Sequence, residues 1–152
     1  MARIGPECIL SATAKEVLMN DYEKRHVLGL PEMDTQHDYL YKLFDAIEST
    51  GSKSDNNSLR KLIHEIEMYL MFHCECEEHL MRMYDFPGFS QHQSDHEQAL
   101  RRFMRFLDDF DAGMLNCAAM RIFLTGWLME HSLISDSEYV SWVRKQRSGL
   151  ES

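Results

Sequence analysis

The chain has 152 residues, with 7 glycines, 3 prolines and 11 methionines, and carries a formal net charge of −9 with a pI near 5.3. This is one domain's worth of chain, long enough to bury a core without disulfide staples, and the scarcity of glycine and proline weighs against a turn-rich all-β fold. An acidic chain is not drawn to phosphate backbones, which argues against a nucleic-acid partner, and with no segment approaching about 20 apolar residues no membrane insertion is expected.

The first 33 residues read as a leader or arm, with a short helix expected around residues 11–20 behind Ser11 as its cap. They lack a charged region followed by an apolar stretch of signal-peptide length. Residues 34–152 read as a single helical domain. Gly29 and Pro31 interrupt regular structure, and from Asp34, a suitable N-cap, the pattern changes. Leu40, Leu43, Phe44 and Ile47 recur at helical spacing and predict a first helix over 34–50. The loop that follows is rich in glycine, asparagine and serine. A second helix is predicted over 58–84, capped by Ser58, with Leu59, Leu62, Ile63, Ile66, Tyr69, Leu70 and His73 on one stripe.

Phe86-Pro87-Gly88 turns the chain into a third helix over 90–111, where Leu100, Phe103, Met104 and Leu107 continue a stripe begun by His92 and His96. Gly113 marks its end. A fourth helix over 116–135 turns Leu124, Trp127, Leu128 and His131 inward, and a last helical piece over 137–146 carries Tyr139, Trp142 and Val143. Long helices joined by short loops predict an all-α, up-down-up-down antiparallel four-helix bundle, with the N-terminal leader and a short C-terminal helix added.

Four cysteines are present: Cys8, Cys74, Cys76 and Cys117. On a helix Cys74 and Cys76 diverge by about 200°, so they are poorly placed to bond each other. No CxxC motif occurs, and reduced thiols in the cytoplasm are the expectation.

The histidines carry the chemistry. There are eight, and each predicted bundle helix places at least one on its apolar face. His73 and Glu77 are four apart, as are His92 and His96, so each pair lies on one helix face and can reach a common ion. His37 comes from the first helix. His131 and Asp136 are five apart, about 140° of rotation on an ideal α-helix, and can join only if the helix end is distorted or the Asp reaches back.

A lone histidine on an apolar face is usually a hydrogen-bonded core residue. Five imidazoles and two carboxylates buried together without metal would instead leave many polar groups unpaired, at about 1–3 kcal/mol each. Seven ligands exceed one tetrahedral zinc, and the set is too rich in nitrogen for magnesium or calcium. Imidazole with carboxylate suits iron, and two bridging carboxylates suit a pair of ions. Ferritin-like di-iron oxidases use more carboxylates than imidazoles. The reversed ratio here stabilises high-valent iron less well and favours reversible oxygen binding over oxygen cleavage. His26, His64 and His79 fall outside the pattern and read as surface or supporting groups. Glu78 reads as a salt-bridging residue.

Four segments occur in order: D-T-Q-H at 34–37, H-C-E-C-E-E at 73–78, F-P-G-F-S-Q-H-Q-S-D-H at 86–96 and W-L-M-E-H-S-L-I-S-D at 127–136. Together, from about Tyr22 to Asp136, the chain resembles the hemerythrin family in its bacterial form. The resemblance implies two iron ions with a bridging oxo or hydroxo group. One ion would take His92, His96 and His131, the other His37 and His73, with Glu77 and Asp136 bridging. The second ion would keep an open position where dioxygen binds. Tyr22 stands where many relatives have tryptophan and reads as packing.

Leu40, Cys74, Trp127 and Ser132 would line the oxygen pocket. Two of them depart from the family. Ser132 replaces the usual isoleucine after the fourth-helix histidine, and Cys74 the usual phenylalanine after the second-helix histidine. A dry pocket protects the oxygen adduct from loss as peroxide, so these two residues are expected either to wet the pocket or to be covered by neighbours. The resulting expectation is an oxygen-binding, non-enzymatic protein for carriage, storage or sensing. A di-iron enzyme acting on peroxide, nitric oxide or ferrous iron is one alternative. A redox or iron-handling interaction protein, with Cys74 or Cys76 as its thiol, is another. No protein partner can be named from the residues.

Overall fold

A computed structural model describes residues 27–53 and 55–150. The expected helix around 11–20 lies outside the described residues, as do Cys8, Tyr22 and His26. Within them the structure is all helical: α1 (Pro31–Gly51), α2 (Asn56–Met83), α3 (Phe89–Asp111), α4 (Cys117–His131) and α5 (Ser137–Leu150), with a π-helical turn, Ser132–Asp136, joining the last two. No strand occurs among the described residues. None of the helices is long and apolar enough to cross a membrane.

Local chemistry explains where each helix starts. Helix α1 begins at Pro31, three residues before the predicted start, because proline has a helical φ already set and no N–H to leave unbonded. Asp34 is therefore not the N-cap. Its carboxylate reaches back to accept the backbone N–H groups of Leu28 (2.8 Å) and Gly29 (3.0 Å), drawing the preceding segment onto the helix. Gly29 has φ +82°, a conformation that side chains disfavour. In α2 the cap is Asp55 rather than Ser58. The carboxylate accepts from Asn57 N at 2.9 Å and from the Ser58 hydroxyl at 2.6 Å, a charged acceptor prevailing over a neutral one. Asn116 caps α4 through Ala119 N, and Gly113, at φ +73°, closes α3 as expected.

Two apolar clusters hold the helices. The larger contains Leu40, Phe44, Ile47, Ile63, Ile66, Leu70, Phe103, Met120, Leu124 and Leu128, from α1 to α4. The smaller contains Leu28, Met33, Met81, Tyr139, Val140 and Val143, where α5 packs on the start of α1 and the end of α2. Each large side chain buried this way contributes about 1.5–3 kcal/mol before the cost of ordering it. Met104, placed on the α3 stripe by its spacing, is instead 48% exposed, because Phe103 beside it takes the inward position.

Contacts between helices follow the chain, and α4 returns to α1. Gln36 meets His73, Arg60 meets Asp111, Arg102 lies over Phe123, and Arg121 bonds Glu48 at 3.0 Å. Along every helix the candidate ligands sit between the two clusters. His37 lies between Met33 and Leu40, His73 and Glu77 between Leu70 and Met81, and His131 and Asp136 between Leu128 and Tyr139.

Candidate metal centre

His37, His73, Glu77, His92, His96, His131 and Asp136 all converge on this layer, and all are buried, with at most 4% exposure. Each carboxylate divides its oxygens between two groups of imidazoles. Glu77 Oε1 lies 3.0 Å from His73 Nε2 and 3.5 Å from His37 Nε2, while its Oε2 lies 3.2 Å from His92 Nε2 and 3.1 Å from His96 Nε2. Asp136 does the same. Its Oδ2 lies 3.2 Å from His37 Nε2, and its Oδ1 lies 3.3 Å from the Nε2 atoms of both His92 and His131.

The i, i+4 pairs meet because α2 and α3 are regular. His131 and Asp136 meet for another reason. Between them the helix widens into a single π turn, in which the Ser137 N–H bonds the carbonyl of Ser132, five residues back. One residue more per turn brings positions five apart onto one face. The predicted break at 135–137 is therefore absent, and the backbone runs continuously from Cys117 to Leu150, past the predicted end at 146.

The donor set fits cations. His37 Nε2, His73 Nε2, Glu77 Oε1 and both Asp136 oxygens are buried without a hydrogen-bond partner. Three imidazole nitrogens also face one another: His131 Nε2 lies 2.9 Å from His96 Nε2 and 3.1 Å from His92 Nε2. Adjacent ligands of a six-coordinate ion with bonds of roughly 2.1 Å stand roughly 3.0 Å apart. Two ligand groups result, one of His37, His73 and Glu77 and one of Glu77, His92, His96 and His131, with Glu77 common to both.

Two imidazoles are aimed from behind. His73 Nδ1–H donates to Gln36 Oε1 (2.8 Å) and His96 Nδ1–H to Glu78 Oε1 (3.0 Å), which leaves each Nε2 lone pair facing the centre. Gln93 donates to the other Glu78 oxygen at 3.0 Å. The Trp127 ring stacks on His131, centroids 5.1 Å apart. A cleft of about 420 Å³ between α3 and α4 reaches His131 and Trp127 from outside, lined also by Asp95, Gln98 and Glu130. Gln36 was not singled out from the sequence; its place one residue before His37 was the available signal. Glu78→Ala is expected to weaken metal affinity by about 10–100-fold, read by competition with a chelator.

Burial would lower the His37 and His96 pKa values. The Asp136 and Glu77 carboxylates beside it more than offset this for His37, lifting it to about 9, and Cys74 and Glu77 lift His96 to about 11. Burial would raise Glu77, but the surrounding imidazoles, His73 foremost, hold it well below the usual carboxylate range. Asp136 also lies below its ordinary value: burial and Glu77 push it up, and the His131 and His37 imidazoles beside it outweigh them.

A family model described as Hemerythrin HHE cation binding domain matches residues 28–143, most of the chain. The chain belongs to the hemerythrin family. It is 30% identical to a bacteriohemerythrin of Aquifex aeolicus (strain VF5) over 76 residues, 50% of this chain and 58% of that protein. The match thus spans somewhat over half the length of that relative. No solved structure matches to a significant degree.

Three of the four residues expected to line the oxygen pocket, Leu40, Cys74 and Ser132, are buried, and Trp127 is half-buried. Leu40 is fully buried, and Cys74 is buried with its thiol beside His96. Ser132 is 2% exposed, and its hydroxyl has no partner. Cys76 and Cys117 are half-buried free thiols. His64, 3.6 Å from Glu67, and His79 are exposed and away from the centre.

Proposed function

We propose that this chain binds dioxygen reversibly at a non-haem di-iron centre, for carriage, storage or sensing, and is not primarily an enzyme. The observation that carries this reading is the division of Glu77 and Asp136 between two imidazole groups. His92, His96 and His131 would hold one iron, His37 and His73 the other, with both carboxylates and an oxo or hydroxo group bridging. The unequal share, three imidazoles against two, leaves the second ion short of a ligand and open to a small molecule. Two ferrous ions would supply the two electrons that dioxygen accepts there.

The chain's own residues do the rest. Glu78 and Gln36 fix the imidazole tautomers and ring directions. Leu40, Leu128 and the cluster around Tyr139 keep bulk water from both sides of the layer. We read the architecture as an up-down-up-down antiparallel bundle. The pairs Gln36–His73 and Tyr39–Tyr69, Arg60–Asp111 and Glu77–His92, and His96–His131 and Arg102–Phe123 support it, since at each interface residue numbers fall on one helix as they rise on the next. A leader of residues 1–33 ahead of a bundle of residues 34–152 remains our division of the chain. A cytoplasmic location agrees with the free thiols, and neither nucleic acid nor a membrane is proposed as a partner.

The test is an absorption spectrum of the iron-loaded protein, reduced anaerobically and then exposed to air. A new visible band that disappears when oxygen is removed supports reversible binding. Direct passage to the ferric spectrum with release of peroxide would favour an enzyme acting on peroxide, nitric oxide or ferrous iron.

A further inference from the structure

The core-facing line of the fourth helix runs through Met120, Leu124, Leu128, Ser132 and Asp136, every fourth residue, all buried. Its first three members are apolar and its last is a carboxylate of the centre. Ser132 stands between them, 2% exposed, with an unpartnered hydroxyl. A helical serine ordinarily satisfies itself on the carbonyl four residues back. No such bond is made here, and the carbonyl of Ser132 accepts from the Ser137 hydroxyl at 3.0 Å. A buried hydroxyl left unbonded is destabilising, so an apolar residue would serve the fold better at this point.

We propose that the Ser132 hydroxyl is a specificity-determining donor, which hydrogen-bonds a small anionic ligand taken up at the centre. The inference rests on the di-iron reading above. The floor beneath the layer is otherwise apolar, formed by Leu40 and Leu128, and the Cys74 thiol is already turned to His96. Ser132, next in the chain to His131 and four residues before Asp136, is thus a buried donor with no partner of its own. In an environment with little water, a hydrogen bond to a charged acceptor is worth several times one made at the surface. The hydroxyl would therefore favour ligands that carry negative charge when bound over ligands of the same size that stay neutral there.

Azide is the probe, titrated into the oxidised, iron-loaded protein and followed by visible absorption. Ser132→Ala is expected to weaken azide binding about tenfold or more, and Ser132→Thr, which keeps the O–H, to retain it. In the metal-free protein Ser132→Ala is expected to raise Tm by about 2–4 °C, because the unpaired hydroxyl is gone. Equal azide affinity in the wild type and Ser132→Ala would overturn the proposal. So would an equal loss in Ser132→Thr, which would mark an effect of size. A wild-type protein that takes up iron but gives no azide response would overturn the di-iron reading and this inference with it. Failure of the inference alone leaves the wild-type response intact.

Discussion

Glu77→Ala is expected to abolish stable loading of both ions, leaving less than one iron per chain after desalting. Glu77 belongs to both ligand groups, and its oxygens lie within 3.0–3.5 Å of imidazole nitrogens on either side. Removing a ligand of one ion alone, as in His73→Ala, takes away a terminal donor. Removing Glu77 takes away a donor from each ion and the negative charge that offsets two cations in a buried site. Glu77→Gln keeps the shape without the charge and is expected to fold yet load poorly, which separates loss of ligation from loss of fold. The measurement is the iron-to-protein ratio by elemental analysis, with helicity followed by circular dichroism. Full iron content in Glu77→Ala would refute the sharing of this carboxylate.

Stripping the metal is expected to lower Tm by about 16–32 °C, taking about 4 kcal/mol for each of two ions present at a thousand times its dissociation constant. The effect follows from the buried ligand atoms of the layer, which come from α1 to α4 and the π turn and in the metal-free chain have only one another as neighbours. The gap should widen as pH rises. In the metal-free chain His37 and His96 have pKa values raised from 6.5 to about 9 and about 11. Stability from those groups is complete below about pH 6.5 and is lost as pH climbs through the folded values. The lowered carboxylates act at the other end. The contributions of Glu77 and Asp136 are present above their ordinary pKa values and lost as pH falls through the folded ones. Metal binding must displace the imidazole protons, so affinity rises with pH and loading at neutral pH acidifies a lightly buffered solution. Scanning Tm of loaded and stripped protein from pH 6 to 9 checks the trend. A gap that stays constant or narrows would contradict it.

The ligand pairs within α2 and α3 were legible because each depends on one regular helix. Residues four apart on an α-helix share a face whatever surrounds it, so His73 with Glu77 and His92 with His96 needed no knowledge of the rest of the molecule. The apolar stripes of α1 and α2 were legible for the same reason. The failures were equally local in cause. Pro31 and Asp55 displaced Asp34 and Ser58 as the residues that begin α1 and α2, because two neighbouring residues competed for one role and the better donor or acceptor geometry prevailed. Met104 carried the right residue type one position away from the inward direction.

The sequence by itself determined the helices, the residue types that face inward and the family to which the chain belongs. All of these follow from short-range periodicity and from ordered motifs along one strand of text. Tertiary structure alone decided how the four sets of donors meet. The five-residue step from His131 to Asp136 is open to several backbones, and only packing between the two apolar clusters selects the π turn that unites the pair. The same holds for Gln36 behind His73 and Glu78 behind His96, partners 37 and 18 residues apart. Their hydrogen bonds exist because helices from distant parts of the chain are pressed into one layer. No local pattern encodes that separation.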